Sequence, residues 1–295
     1  MIRQTFRRSL ASYAFILPAF LLFFTFSFYP FLKVFQLSVT SWDGISPEQP
    51  FVGFENFKDI FFDNAVFKMS LWNAVVITFL ALTAQNLLAL ILALMCDRDV
   101  KGGNVYRVIF YLPPVLSGIV VGLIWNWIYD GNYGLLNHFL NFIGLEDLSR
   151  AWLSDSKFAL LSVAVIHMWK GFGWGFVILL AGLQSIPREL YEAARVDGAN
   201  SWVVFKNVTM PLMIPVFILV SILTILGSMQ IFDIIIATTG GGPGYHTEVP
   251  VTRIVSTMIG SSQFGYASAM GVVFGFILLV ISMIQIKVSK SMRQV

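Results

Sequence analysis

We expect an all-α integral membrane protein that crosses the bilayer six times with both termini in the cytoplasm, and three observations predict this fold class. Of the 295 residues, 57% are hydrophobic and only 12% are charged, whereas about a quarter of a soluble chain is charged. Six apolar runs are each long enough for the about 20 residues that a helix needs to cross a bilayer. These runs do not alternate between apolar and polar residues, so membrane-spanning β-strands are excluded.

Each of the six runs is predicted to be a helix, because backbone groups in lipid must be hydrogen-bonded within their own segment. The first run is too long for the apolar part of a cleavable signal peptide, and we therefore expect it to be retained as a span. The single Cys96 cannot form an internal disulfide. The predicted spans are 13–39, 71–95, 108–129, 158–183, 212–237 and 266–286.

The basic residues between the runs predict the orientation, because Lys and Arg accumulate on the cytoplasmic side of a membrane. Twelve lie on one side of the spans and five on the other. The chain then divides into a cytoplasmic N-terminus 1–12, a six-span domain 13–290 with a cytoplasmic loop 184–210, and a cytoplasmic tail 291–295. The twelve are Arg3, Arg7, Arg8, Arg98, Lys101, Arg107, Arg188, Arg195, Lys206, Lys287, Lys290 and Arg293; the five are Lys58, Lys68, Arg150, Lys157 and Arg253.

The segment between the first two spans is expected outside the cell. It contains Trp42-Asp43-Gly44, which predicts a turn, and residues 55–62, which predict a short amphipathic helix. The favoured interpretation is that this helix rests its phenylalanines in the headgroup region. The alternative is that it contacts another protein outside the membrane.

Charged residues inside the predicted spans are rare, and Lys170 is the most informative of them. It lies about twelve residues, or roughly 18 Å, from either end of the fourth span, and an ammonium group at that depth costs at least about 2.5 kcal/mol. Lys170 should therefore face a wet cavity or an ionic partner. Asp233 in the fifth span is a candidate partner, and Lys33 in the first span could pair with Asp233 instead.

Small and hydroxylated residues accompany Lys170 at the same depth. Gly171 and Gly175 permit close helix contact and can also leave carbonyl groups available, as in the broken helices that line transport sites. Thr224, Ser228 and Ile231 follow at steps of four and three residues and so share one face of a fifth-span helix. From the residues alone, packing is an alternative interpretation of the two glycines and the favoured interpretation of the hydroxyl face.

The cytoplasmic loop 184–210 predicts a helix, a turn and a second helix. Pro187 suits the first turn of a helix, and Glu192 lies early in it, where the helix dipole favours negative charge. Gly198 can adopt the left-handed conformation that ends a helix. Asn200 or Ser201 can then cap a second short helix over 202–208. A docking surface for another protein and a plain connector are both compatible with this pattern.

The sequence contains none of the motifs expected of an enzyme of the common classes. There is no Gly-x-x-x-x-Gly-Lys-Ser/Thr nucleotide loop, so we expect no ATP hydrolysis by this chain. His138, His167 and His246 are scattered without metal-ligand spacing. The net charge of +3 is small, and no nucleic-acid partner is expected.

Four motifs occur in an order and at a spacing that resemble one family of transport proteins. They are residues 107–114, which read RVIFYLPP, residues 181–187, which read AGLQSIP, the set Glu192-Ala193-Ala194, Gly198 and Pro211, and residues 239–243, which read TGGGP. Together they resemble permease subunits of binding-protein-dependent ABC importers of the carbohydrate branch. The last motif is similar to that of the larger-type permease of maltose, multiple-sugar and glycerol-phosphate importers.

This resemblance implies a sugar-importer permease in a prokaryotic cytoplasmic membrane. A second, similar permease would complete the path, two cytoplasmic ATPases would bind ATP-Mg and drive it, and an extracellular binding protein would deliver the sugar. The chain itself would be no enzyme and would hold no cofactor. The resemblance implies that the loop 184–210 carries the coupling helix, whose ATPase contacts are Glu192, Ala193, Ala194, Asp197 and Gly198.

The resemblance also implies where the sugar binds. Sugar contacts of the similar maltose permease fall, without gaps, on the middle of the fourth span and one face of the fifth. An aromatic plane such as Trp174 suits the apolar face of a sugar ring. The predicted substrate residues are Lys170, Gly171, Trp174, Thr224, Ser228, Ile231 and Asp233.

Two other functions remain as alternatives. A self-sufficient ion-coupled transporter would show inverted repeats and more than one buried carboxylate, and the sequence shows neither. An integral-membrane enzyme would carry a polar catalytic cluster near one membrane interface, and none is evident.

Overall fold

The computed structural model describes residues 15–97 and 103–292, and its regular structure there is helical, apart from a single β-bridge between Thr40 and Phe51. The predicted cytoplasmic N-terminus, the first two residues of the first predicted span, Arg98, Lys101 and Arg293 lie outside the described residues. The helices are α1 Phe15–Ser38, α2 Glu55–Phe62, α3 Ala65–Cys96, α4 Gly103–Val115, α5 Gly118–Ile128, α6 Leu135–Phe142, α7 Ala159–Gln184, α8 Arg188–Val196, α9 Ser201–Met229, α10 Asp233–Thr238, α11 Pro250–Val255 and α12 Phe264–Met292.

Five of these helices are long and apolar enough to cross a membrane, and α4 with α5 makes a sixth span if the two are counted as one. The five are α1, α3, α7, α9 and α12, and each overlaps one predicted apolar run. Short π-helical turns interrupt α1 at Phe24–Phe28, α3 at Ala81–Gln85 and α9 at Phe205–Thr209. A fourth turn follows α11 at Ser256–Gly260. The all-α class is confirmed in the described part of the chain.

The third predicted span is not one straight helix, which corrects the prediction of a single helix over 108–129. The chain bends by 97° between α4 and α5. Pro113 and Pro114 lie in the last turn of α4, and proline has no N–H to donate to the preceding turn. Ser117 then starts α5 as its N-cap, because its hydroxyl accepts a hydrogen bond from the Val120 N–H at 3.3 Å.

The fifth predicted span is also divided, which corrects the expectation of one helix over 212–237. Helix α9 ends at Met229, and α10 begins at Asp233 after a three-residue break. Helix α10 packs closely on α5. A Cβ at Gly118 would overlap the Asp233 carboxylate, and one at Gly122 would lie 2.5 Å from the Ala237 Cβ. The Asn126 amide also donates to the Ala237 carbonyl at 2.7 Å.

The described residues form two compact units, of which the first combines residues 15–64 with Ile254–Phe276. Within it the Gly265 N–H donates to the Trp42 carbonyl at 2.9 Å. The Tyr266 hydroxyl accepts from the Asn64 amide at 2.7 Å and donates to the Asp59 carboxylate. The turn at Asp43 is present as predicted, and three hydrogen bonds from Ile45 and Ser46 lower the pKa of its carboxyl to about 2.

The second unit comprises the described residues of 65–253 and 277–292 and has α7 at its centre. Half of the most apolar stretch of α7 is buried, compared with 28% of that of α3. Its core contains Phe176, Leu179 and Met213 with small residues of α3 such as Ala89. A Cβ at Gly175 would lie 3.2 Å from the Ala89 Cβ, so the small residues let α3 and α7 approach closely.

Candidate coupling and substrate sites

The cytoplasmic loop folds largely as its residues predict. Helix α8 ends before Gly198, whose φ of +78° is the left-handed conformation predicted for it. The Asn200 side chain accepts a hydrogen bond from the Val203 N–H at 2.9 Å and so caps α9. Two details of the prediction are wrong. Pro187 precedes α8 as its N-cap rather than lying in its first turn, and the second helix is not short but continues into the fifth span.

Helix α8 presents most of its surface to the outside of the chain. Glu192, Ala193, Asp197 and Gly198 are exposed and Ala194 is half-buried. The helix is attached on its other side through Tyr191, which packs on the core around Phe176 and whose hydroxyl lies 3.3 Å from that of Thr209. The predicted contact residues are therefore held together on one accessible helix.

Two apolar side chains beside this helix were not among the predicted contacts. Val196 is 88% exposed, and Trp202 at the start of α9 is also exposed. Both are apolar side chains that remain exposed in the loop predicted to bind another protein, and such a contact would cover them.

The predicted substrate residues of α7 are partly accessible. Trp174 is 54% exposed and meets the edge of the Tyr111 ring at 5.4 Å between centroids. Lys170 is half-buried, and it has no hydrogen-bond or ion-pair partner among the residues that the structure describes. Gly171 faces α3 instead of an open space, because a Cβ there would lie 2.5 Å from the Gln85 side-chain oxygen.

The predicted substrate residues of the fifth span are buried within the chain. The Thr224 hydroxyl donates to the Asn86 side-chain oxygen at 3.1 Å, and the Ser228 hydroxyl lies 2.9 Å from the His167 ring. Ser228 is only 1% exposed. Ile231 is buried as well and follows the end of α9, so the prediction that it shares a helical face with the two hydroxyls is wrong.

Asp233 lies at the start of α10, where one carboxylate oxygen accepts from the N–H of Ile234 at 2.9 Å. It forms no ion pair with Lys170 in the described structure, so that predicted pair is absent. Both charges nevertheless interact electrostatically with His167. Lys33 donates to the Gln36 side chain at 2.7 Å.

Sequence reasoning missed three polar residues at this depth, namely Gln85, Asn86 and His167. Gln85 and Asn86 interrupt a long apolar run, and that interruption was the signal available for them. Within residues 15–97 and 103–292, no group of three His, Cys, Asp or Glu side chains is placed to hold a metal ion.

Comparison with known proteins gives a consistent result. Residues 85–294 match the family described as binding-protein-dependent transport system inner membrane component. The chain is 35% identical to a probable ABC transporter permease protein, YurN, of Bacillus subtilis, over 96% of this chain and 97% of the relative. It is 31% identical to the trehalose/maltose transport system permease protein of Thermococcus litoralis, over 98% and 96%.

A solved structure has the same fold. It is a bacterial ABC transporter involved in the import of the acidic polysaccharide alginate, and a chain of it matches with a TM-score of 0.86 and 23% identity over 98% of both chains. At that identity the likeness concerns the fold.

Proposed function

The chain belongs to the family of binding-protein-dependent transport system inner membrane components, and from this membership we propose that it forms, with a second permease, the path for a sugar across the membrane. It is an ABC importer permease and a multi-pass protein of the cytoplasmic membrane. Membership of this family favours ATP-driven import over an ion-coupled transporter.

A sugar is the proposed substrate because several relatives are named as permeases of sugar transport systems. One is the trehalose/maltose permease, and another, 31% identical over 97% of this chain, is a multiple sugar-binding transport system permease of Streptococcus mutans. The proposed partners are a second permease, two ATPases that bind ATP-Mg, and an extracellular binding protein that delivers the sugar. Hydrolysis of ATP is then the work of the partner ATPases.

Helix α8 is proposed to be the coupling helix, and both termini are proposed to lie in the cytoplasm with it. The observation that carries this proposal is an exposed helix, closed by a left-handed glycine, with Val196 almost fully exposed at its end. A partner cleft that receives Ala193, Ala194 and Val196 would bury this apolar surface. Glu192 and Asp197 would then lie at the contact as its charged residues.

The sugar is proposed to pass the middle of α7, where Lys170 and Trp174 are accessible beside Gly171. Thr224 and Ser228 are occupied by Asn86 and His167 in this conformation. They would reach a sugar only after α9 moves relative to α3 and α7, and such helix movements are expected of an alternating-access transporter. Ile231 and Asp233 lie at the hinge-like break between α9 and α10 and would move with it.

Replacement of Gly198 by valine tests the coupling proposal. A β-branched residue at φ +78° is strained by about 1–2 kcal/mol, but nothing within 4 Å would collide with its Cβ. We expect the complex to assemble and to retain basal ATP hydrolysis. Stimulation by sugar-loaded binding protein should fall by about 5–30-fold, the equivalent of that strain.

Gly144→Val is the matched control. Gly144 has a φ of +77° and also has open space around a Cβ, but it follows α6 on the proposed external side. Stimulation should be normal in Gly144→Val. Normal stimulation in Gly198→Val at normal complex yield, or an equal loss in both variants, would contradict the proposal.

A further inference from the structure

A polar cavity of about 460 Å³ opens near the end of α5, on the face that the proposed topology places outside the cell. That volume is within the range of small-molecule sites. The glycine-rich loop at Gly242 and Pro243 forms one wall. The polar side chains of the lining are Asn126, Tyr129, Asp130, Ser154, Thr238 and Thr239.

Several polar atoms of this cavity have no hydrogen-bond partner among the described residues. Tyr129 is only 5% exposed, yet its hydroxyl forms no hydrogen bond with any described residue, and the same holds for the Ser154 hydroxyl. One oxygen of Asp130 accepts from the N–H groups of Asn132 and Tyr133 at 2.9 and 2.8 Å, and its other oxygen accepts from no described residue. Ser154 and Asp130 are exposed, whereas Tyr129 is buried and lines the cavity, so its hydroxyl and these accessible oxygens are available to bind a ligand there.

The placement of these groups favours a ligand with several hydroxyl groups. Tyr129 and Asp130 follow the end of α5, and Ser154 lies in the loop before α7, so the groups come from two walls of the cavity. A sugar ring carries hydroxyls around its rim and can bind to both walls at once. The Tyr129 ring is fixed by Trp125, at 4.9 Å between centroids, which holds its hydroxyl in place.

The charge of the residues that line the cavity limits which sugars can bind there. Within the described part of the chain, no lysine, arginine or histidine lines the cavity. Its charged residue is Asp130, and backbone hydrogen bonds from Tyr133 and Asn132 lower the pKa of that carboxyl, which keeps it ionised at neutral pH. A carboxylate or phosphate on the sugar would be repelled by Asp130 without a compensating cation.

We propose that this cavity is an external subsite for a neutral sugar, separate from the accessible residues in the middle of α7. The subsite rests on the proposed transport function. It would hold one sugar residue after release from the binding protein and before passage between the spans.

Protection of a cysteine from labelling tests the subsite directly. The only native cysteine is the buried Cys96, so Ser154→Cys in a Cys96→Ala background gives one thiol in the cavity. The complete complex in lipid is first tested with trehalose, maltose, maltotriose and the acidic digalacturonate to find a sugar that is taken up. We expect that sugar, supplied alone at high concentration, to slow maleimide labelling of Ser154→Cys at least fivefold.

Tyr133→Cys is the control, because Tyr133 is 81% exposed in the loop that contains Asp130 and is not among the residues that line the cavity. Its labelling should not change with sugar. Protection of Ser154→Cys by binding protein without sugar, but not by sugar, would make the cavity a protein-docking surface and overturn the proposal.

Uptake kinetics give a second measurement. Tyr129→Phe and Asp130→Asn each remove one sugar contact, and Asn keeps the oxygen that accepts from Asn132 and Tyr133. We expect the sugar concentration for half-maximal uptake to rise about 5–10-fold with an unchanged maximal rate, and Tyr133→Phe to have no effect. Unchanged kinetics with no protection overturn the subsite alone, whereas no uptake of any sugar overturns the transport function and the subsite with it.

Discussion

At the scale of single residues, Lys170 and Trp174 are the predicted sugar contacts that remain accessible in this conformation. Trp174→Ala should lower the rate of sugar uptake without lowering complex assembly or basal ATP hydrolysis, because the exposed ring packs on Tyr111 alone among the described aromatic rings. Lys170→Met should change which sugars are accepted, because it removes a half-buried ammonium group that has no partner in the described chain.

These two variants are measured by uptake over a range of sugar concentrations, with ATP hydrolysis in the same preparation. Trp72→Ala is a suitable control, because Trp72 is an exposed tryptophan of α3 and is not one of the proposed sugar contacts. Normal uptake in both Trp174→Ala and Lys170→Met would contradict a role in sugar binding. Trp174 would then serve to pack on Tyr111, and Lys170 would serve its electrostatic interaction with His167.

The residue types of the candidate site were predictable from the sequence, but their partners were not. Thr224 and Ser228 were identified by their spacing, which places both on one helical face. Whether that face is open or closed depends on Asn86 and His167, which lie 138 and 61 residues away along the chain. A single sequence carries no signal for such a distant pairing.

At the scale of helices, the contact of α5 with α10 depends on two glycines. Gly118→Ala should destabilise the protein by about 1–3 kcal/mol, because the new Cβ overlaps the Asp233 carboxylate. Thermal unfolding of the purified protein in detergent measures the change. Gly227→Ala in α9 is the matched control, because nothing lies within 4 Å of a Cβ there and alanine is favoured in a helix by up to about 1 kcal/mol.

A double variant identifies the cause of the destabilisation. Asp233→Ala removes the carboxylate that the new Cβ meets, so it should recover part of the loss when combined with Gly118→Ala. Simple additivity of the two single changes would show that the contact with Asp233 is not the reason for the glycine.

The helices themselves were predictable because hydropathy alone determines where a chain can cross lipid. The breaks within the third and fifth spans were less predictable from the sequence. Pro113 and Pro114 were a visible signal for the bend in the third span, and a straight helix was nevertheless expected there. The break after Met229 has no glycine or proline within it, and tertiary contact of α10 with α5 is the feature that accompanies it.

At the scale of the whole molecule, the orientation remains to be measured. In the Cys96→Ala background, Lys206→Cys should react with an impermeant thiol reagent only from the cytoplasmic side, and Tyr133→Cys only from the external side. Both positions are exposed, and membranes without the ATPases keep the cytoplasmic loop uncovered. The opposite pattern of labelling would overturn the proposed topology and, with it, the assignment of α8 to the cytoplasm.

The π-helical turn within α3 determines which side chain faces Thr224. Such a turn is a one-residue insertion absorbed within a helix, and one residue rotates everything after it by about 100° around the helix axis. Ala81–Gln85 directly precedes Asn86, the partner of Thr224. A relative that lacks this extra residue would keep the same loops and the same hydropathy, yet a different side chain would face Thr224. An alignment gap between such proteins therefore belongs inside the second span and not in the loops at its ends.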